Sequence, residues 1–368
     1  MAKGMPTVTV IGPFPPPVHG AAVITAFMAD IIGEKAVVKK LSIAPDGLER
    51  GIGYHLTRLG RVMAAMVGLA EGAFGPAPVY FSAAGGGGLL YNIVLAMMAR
   101  VLGRRIFIHH HAFSYLDRWD WKMALLVRGA GCGTTHICLC SHMASLLQRR
   151  YGDTINTMTL SNAAFLPPRS VNARSSSSGA LRVGHLSNLC RDKGLDIVLD
   201  VVMAAGDSVE KLVLAGPVAD PDGARMIDSA TAELGNQIDY RGPIYGDAKS
   251  TFFDDIDVFL FPTGYVNEAE PTVVAEALAA GVPVIAYGRG CIGGQVPGDA
   301  GLVVAPDQPF APPALALLRH WSENHMALDD AATKAHEAAA SAHHGAKAAL
   351  QRIVSKIVDA GDGRGEGA

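Results

Sequence analysis

Residues 267–286, NEAEPTVVAEALAAGVPVIA, constrain this chain more than any other stretch. Glu268 and Glu276 have seven residues between them. Pro271 belongs to a loop that precedes an Ala-rich helix. Gly281 and Pro283 end that helix, because glycine suits the cap and proline cannot continue the turn. Val284, Ile285 and Ala286 then begin a buried strand. Loop, helix, glycine stop and apolar strand make one turn of a parallel α/β sheet, in which a helix must carry the chain between strands. Glu268 falls in the loop at the helix N-terminus and Glu276 about two turns further on. A helix start holds phosphate through its backbone N–H groups and dipole. A carboxylate on either side of such a site accepts hydrogen bonds from ribose and sugar hydroxyls.

The chain of 368 residues has room for two domains of ordinary size. Hydrophobic residues at 49% against charged residues at 18% predict extensive burial. A net charge of −3 argues against nucleic acid as the main partner. The five cysteines are odd in number and show no paired zinc spacing. Cys138 and Cys140 share a strand face in an apolar run and read as core packing. No secretory signal is visible in MAKGMPTVTVIG, which runs straight into a strand. The apolar run 89–102 is interrupted by Asn92 and Arg100 and is shorter than the ~20 residues a bilayer span takes. It reads as a buried helix.

Strand and helix signals alternate along the first half. Residues 7–11 form a strand, followed by the loop GPFPPPVHGAA and a helix over 22–32. Prolines stiffen the loop, and Gly20 lets backbone approach a ligand at the helix start. The loop is not a dinucleotide fingerprint, since GxGxxG is absent. Strands follow at 37–43 and 78–82. Residues 54–74 are amphipathic, with Leu56, Leu59, Met63, Met66 and Val67 on one side and Arg58 and Arg61 on another. The core-facing reading of that stripe is favoured over an interfacial membrane helix. Residues 104–108 form a strand that ends in His109, His110 and His111, where α/β sheets place their ligands. Neighbouring strand residues point to opposite faces, so at most His109 and His111 share one, and three in a row cannot converge on one ion. A strand at 135–140, a helix at 142–151 and a strand at 155–160 complete a first domain over 1–166. The Pro/Ser-rich stretch 167–180 reads as a linker.

The second domain, 181–345, opens with LRVGHLSN and LCRDKGLDIVLD. A strand, then a loop with Arg191, Lys193 and Gly194, then a helix make an anion cradle. Strands follow at 211–216, 238–243 and within DVFLFP. Asp255 and Asp257 mimic a metal-binding DxD but precede an apolar strand, and are discounted. The segment Gly246-Asp-Ala-Lys-Ser lacks the spacing of a phosphate loop. From residue 312 the chain is helical and Ala-rich. The tail GDGRGEGA reads as disordered.

The central stretch resembles the Glu-x7-Glu signature of retaining glycosyltransferases of family 4, which have the GT-B fold. The match extends through EALAAGVPVIA, and Lys193-Gly194 also fits the family. The resemblance covers most of residues 7–304. It implies two Rossmann-like domains facing each other across a cleft, with a last helix over 346–357, within the final segment 346–368, crossing back to the first. It implies that Lys193 and Arg191 neutralise the donor diphosphate. Glu276 would bind ribose hydroxyls, and Glu268 with the backbone of Ala269, Glu270, Pro271, Thr272 and Val273 would hold the donor sugar. Gly20 would lie near donor phosphates or acceptor, and the loop of Arg241, Pro243 and Ile244 near the base. His111 first, and His109 second, would contact the donor sugar or position the reacting hydroxyl. Two departures stand out. The family's usual arginine position falls on His185 or Asn188, and Ala269-Glu270-Pro271-Thr272 replaces a Gly-Phe-Gly-type run.

The implied activity is retaining transfer of a hexose from a nucleotide sugar, UDP- or GDP-linked, to a hydroxyl of a saccharide, lipid-linked as in bacterial-type homologues. No cofactor or divalent metal is expected, because the basic groups stabilise the departing diphosphate. The implied location is cytoplasmic, with contact at the inner membrane face through Arg58, Arg61, Arg104 and Arg105. Two other readings stay open. One is a nucleotide-sugar 2-epimerase of the same fold, which would need further acid/base groups in the cleft. The other is a catalytically silent binding protein, which would bind a nucleotide sugar without turning it over.

Overall fold

The computed structural model describes residues 5–16, 20–45, 52–71, 77–167, 169 and 179–361. Most of the expected linker, the tail from residue 362 and part of the loop after the first strand lie outside these. The chain divides into two units, Met1–Phe165 with Ala346–Ala368, and Leu166–Gly345.

In the first unit six parallel strands alternate with helices. They run β1 (Thr7–Gly12), α1 (Gly20–Gly33), β2 (Val37–Ser42), α2 (Ile52–Ala70), β3 (Val79–Ala83), α3 (Leu89–Val101), β4 (Ile106–His110), α4 (Ser114–Asp117), α5 (Trp121–Ala130), β5 (Thr135–Cys138), α6 (Ser141–Tyr151) and β6 (Asn156–Thr159). The sheet order is β2-β1-β3-β4-β5-β6. The chain moves from β1 to β2 on one side, then crosses to β3 on the other, so the order reverses between β1 and β3. The central strands β3 and β4 are short and buried at every position, as parallel sheets require.

The second unit repeats the scheme. It runs β7 (Leu181–Leu186), α7 (Leu195–Ala205), β8 (Val209–Ala215), α8 (Pro221–Leu234), β9 (Ile238–Tyr240), α9 (Asp247–Asp254), β10 (Val258–Phe261), α10 (Thr272–Ala279), β11 (Val284–Tyr287), α11 (Ile292–Gln295), β12 (Gly301–Val304), α12 (Ala311–Glu323) and α13 (His325–Asp359). Its order is β12-β11-β10-β7-β8-β9, so the reversal falls between β10 and β7. One core gathers around α7 and α12, and another around α9 and α10. Helix α13 begins in the second unit, where Leu328 and Ala331 join its core. It ends in the first, where Leu350, Ile353 and Ile357 pack with Val8, Met28 and Tyr80.

One face runs against expectation. Helix α2 forms, but Leu56, Leu59, Met63 and Val67 point to solvent, and Met66 is half-buried. The inward face is Val62, Ala65, Gly68 and Leu69. Small residues let this helix approach β2 closely: a Cβ on Gly68 would lie 2.8 Å from the Leu41 side chain. The arginines expected to face lipid are also engaged. Arg58 lies over the Tyr91 ring at 4.9 Å. Arg61 donates to Ser42 Oγ and the Ala44 carbonyl. Arg104 is buried and donates to the Ala77 carbonyl at 3.0 Å, leaving Arg105 exposed.

Candidate functional site

In an open parallel sheet, the loops leaving the carboxyl ends of the two strands at the reversal diverge and leave a crevice between them. In the second unit those strands are β7 and β10. Their loops carry Lys193 and Glu268, whose Nζ and Oε2 atoms are 2.6 Å apart. Thr263 Oγ1 donates to the same carboxylate oxygen at 3.1 Å. Lys193 Nζ also lies 4.4 Å from the centre of the Tyr265 ring, a cation–π contact.

Backbone packing fixes this pair. Gly194 has a φ of +79°, and a Cβ there would meet the Pro262 carbonyl oxygen at 2.3 Å. Only glycine lets the β7 loop lie this close to the end of β10. The Gly264 N–H donates to the Asp192 carbonyl at 2.9 Å, a second tie between the loops. From the other side, Gly290 has a φ of +60° and faces the Glu268 and Ala269 carbonyl oxygens, which a Cβ would approach to 2.5 and 2.4 Å. Arg289 donates to the Tyr265 and Val266 carbonyls at 3.2 and 2.8 Å. The loop after β11 therefore braces the loop that carries Glu268.

Glu268, Ala269, Glu270 and Pro271 are buried, while Thr272 and Val273 are half-buried. Pro271 caps α10 without a side-chain acceptor. Glu276 sits one turn inside α10 and pairs with Lys249 of α9. Lys249 is a functional candidate that the sequence offers only within Gly246-Asp-Ala-Lys-Ser, the segment discounted as a phosphate loop. It stands 27 positions before its partner, so no local spacing reveals it.

The other sequence candidates of this unit are less closely assembled. Arg191 is exposed and directed at Asp196 and Asp222, at 2.7 and 3.4 Å. Asp196, and after it Asp222, raise its pKa above the ordinary arginine value. Asn188 is exposed. His185 is fully buried in β7, where its Nδ1–H donates to the Leu260 carbonyl and its Nε2 accepts from Ser187 Oγ. Burial brings its pKa down to about 4, and Lys193 adds to the fall. A neutral, buried imidazole cannot replace an arginine beside a diphosphate. Arg241 lies between Asp239 and Asp255, at 2.9 and 2.7 Å, with Pro243 exposed and Ile244 half-buried after it. Asp257 holds Arg182. Asp255 and Asp257 thus serve two arginines.

In the first unit, His109 and His110 lie within β4 and are fully buried, and His111 follows half-buried. The rings of His109 and His111 are 4.2 Å apart, so the two share a face. His109 Nδ1 bonds the Tyr80 hydroxyl at 2.6 Å. His110 turns to the other face, between Tyr115 and His136, at 3.0 and 2.9 Å. Burial holds His109 and His110 well below the ordinary histidine range and raises both tyrosines. Gly20 opens α1 and is exposed, and a Cβ there would meet nothing within 4 Å.

Residues 180–320, less than half of the chain, match the family model described as glycosyl transferases group 1. No curated protein matches the sequence. Among solved structures, HepE of Anabaena in complex with UDP and glucose superposes with a TM-score of 0.72 at 15% identity, over 95% of this chain and 100% of that one. Sucrose-phosphate synthase of Thermosynechococcus elongatus gives 0.74 at 14% identity, over 96% and 100%. A glycosyltransferase of Rickettsia africae gives 0.69 at 11% identity, over 97% and 99%. With two six-stranded parallel sheets and these neighbours, the chain has the GT-B fold, and its second unit carries the group 1 glycosyl transferase match.

Proposed function

We propose that this protein is a retaining glycosyltransferase of the family 4 type. It moves a hexose from a UDP- or GDP-sugar to a hydroxyl of a saccharide acceptor, lipid-linked in polysaccharide or glycolipid synthesis. The observation that carries the reading is the Lys193–Glu268 pair at the β7/β10 reversal, braced by Gly194 and Gly290. The group 1 match over the same unit supports it. HepE, a structural neighbour, has been solved with UDP-glucose.

In this reading the donor diphosphate takes Lys193 Nζ, and the backbone N–H groups at the start of α10 add positive potential. Glu268, released from the lysine, accepts from hydroxyls of the donor sugar. Glu276 accepts from the ribose, with Lys249 setting its position. The bond from the anomeric carbon to the diphosphate oxygen breaks, and its electron pair stays on that oxygen. The same oxygen takes the acceptor proton as the acceptor oxygen bonds to the vacated face. His111, the accessible histidine of its face, is the proposed contact for a reacting hydroxyl. Lysine and helix N–H groups supply the charge that a divalent cation supplies elsewhere, so turnover is expected to survive chelation. Arg191 has a lesser part, because its carboxylate partners already hold it.

A metal-free thermal-shift screen with UDP-, GDP-, ADP- and dTDP-sugars tests the reading, since a ligand that binds only the folded state raises Tm. A shift with one nucleotide, lost in Glu276→Ala, is the expected result. No shift with any donor would overturn the nucleotide-sugar reading. A shift without turnover under any acceptor condition would point to the silent binding protein instead.

A further inference from the structure

Among the described residues, eighteen large apolar side chains are exposed, and eleven of them lie on or beside α2, α3 and α5 of the first unit. They are ordered. Leu56, Leu59, Met63 and Val67 recur at helical spacing along α2. Leu90, Val94, Met97 and Val101 do the same along α3. Trp121 and Leu125 continue the row on α5, with Trp119 just before it. Exposure runs from 42% at Leu125 to 87% at Val101. The three helices are neighbours. Arg58 of α2 stacks on Tyr91 of α3. Arg100 of α3 donates to the Arg128 carbonyl of α5 at 2.9 Å. Helix α6 of the same unit turns Ser141, His142, Ser145 and Arg149 outward instead. The apolar face therefore belongs to three adjacent helices, and ordered apolar rows of this kind mark an interaction surface.

Charge selects the occupant. Residues 52–131 hold eight Lys and Arg against three acids, a net of +5, in a chain whose net charge is −3. Arg100, Arg105, Arg118 and Arg128 are exposed, against one exposed acid, Glu71, which pairs with Lys39; Asp117 and Asp120 are not exposed. Two copies of this face would set like charge against like charge. A bilayer with anionic headgroups meets both parts of the pattern, the apolar rows and the cationic rim. Exposed tryptophans beside such rows match the interfacial preference of indole. No helix among the described residues is long and apolar enough to cross a membrane.

We propose that the outer face of α2, α3 and α5 lies on an anionic phospholipid surface, with the apolar rows reaching below the headgroups. This surface stands apart from the sugar-transfer reading, because vesicle binding needs neither donor nor acceptor.

The test is flotation of the full chain with phosphatidylcholine vesicles, with and without phosphatidylglycerol, at low and high salt. The wild type is expected to float with the anionic vesicles, and less so as salt rises. The double variant Met63→Glu/Met97→Glu is expected to lose more than about tenfold in partitioning. Its Tm should stay unchanged, since both side chains are exposed. Tryptophan emission gives a second readout without mutation. Trp321 is buried, so a vesicle-induced blue shift reports Trp119 and Trp121. Wild type that stays unbound with unchanged emission would overturn the proposal. So would a folded double variant that floats like the wild type. A dimer that the same substitutions dissociate, without flotation, would assign the face to self-association and also overturn it.

Discussion

The two units keep polar groups inside a parallel sheet in opposite ways. Where β4 ends, the first unit buries a row of histidines and tyrosines and keeps them neutral. Where β7 and β10 end, the second unit keeps Lys193 and Glu268 mostly buried and pairs them. Neutralisation removes the cost of an isolated buried charge. Pairing retains both charges, ready to be exchanged for those of a ligand. Under the proposed function the second unit would meet the ionic part of the substrate at this pair, and the β4 end of the first would present neutral hydrogen-bonding groups.

Removing Lys193 should separate the two units most. Lys193→Ala is expected to lower kcat by about 10²–10³-fold, as for the loss of one transition-state charge contact. It should also destabilise the fold by about 2 kcal/mol, because Glu268 loses its partner while still mostly buried. His111→Ala with a smaller kcat loss and little change in donor affinity would sharpen the contrast, and equal losses would break it. Initial rates and donor-induced Tm shifts measure both.

Gly290→Ala comes next. Its positive φ and the Glu268 and Ala269 carbonyls leave no room for a methyl group. The loop must shift, so kcat/KM should fall by about tenfold or more with lowered Tm. Gly20→Ala, placed in open space, should leave Tm within about 1 °C. Thermal melts of the two variants compare the units directly.

Acid should act more on the first unit. Burial holds His136 at about 4, and holds His109 and His110 well below the ordinary value. The second unit has His185, also at about 4. Above pH ~6.5 these residues are neutral in both folded and unfolded chains. As the pH falls, the unfolded chain takes up the protons first, so the stability that neutral burial contributes is lost between about 6.5 and 4. Hydrogen exchange should then show amides of β4 and β5 losing protection before those of β7 and β10. The reverse order would break the comparison. The smallest effect is expected at Arg191. Arg191→Ala should change kcat/KM by less than about threefold, because exposed pairs contribute little and its guanidinium is turned to Asp196 and Asp222.

The same division decides what the sequence discloses. Around α10, loop, helix, glycine stop and strand follow one another locally, so the motif can be read from 20 consecutive residues. Lys193 is found because glycine must follow it where the chain turns against Pro262. The alternation of strands and helices is legible for a similar reason, since strands such as β3, β10 and β11 are short, largely apolar runs. Lys249 is not legible, because its contact with Glu276 comes from the packing of α9 beside α10. The orientation of α2 is not legible either. Its stripe favours a core-facing reading when taken alone, and what overturns that reading is the approach of Gly68 to Leu41 on another element. The commitment of Arg104 depends on a partner 27 positions away in the same way, whereas Arg191 is held by Asp196, five positions on, as well as by distant Asp222.

Helix α13 has a consequence for synthesis. Its last turns, from Ala346 to Val358, complete the core beneath β1 and α1. Those turns follow the whole of the second unit in the chain. On the ribosome, the core around β1 and α1 can therefore close only after the whole of the second unit has been synthesised. A chain stopped before residue 346 would leave Val8, Met28 and Tyr80 without the side chains that cover them.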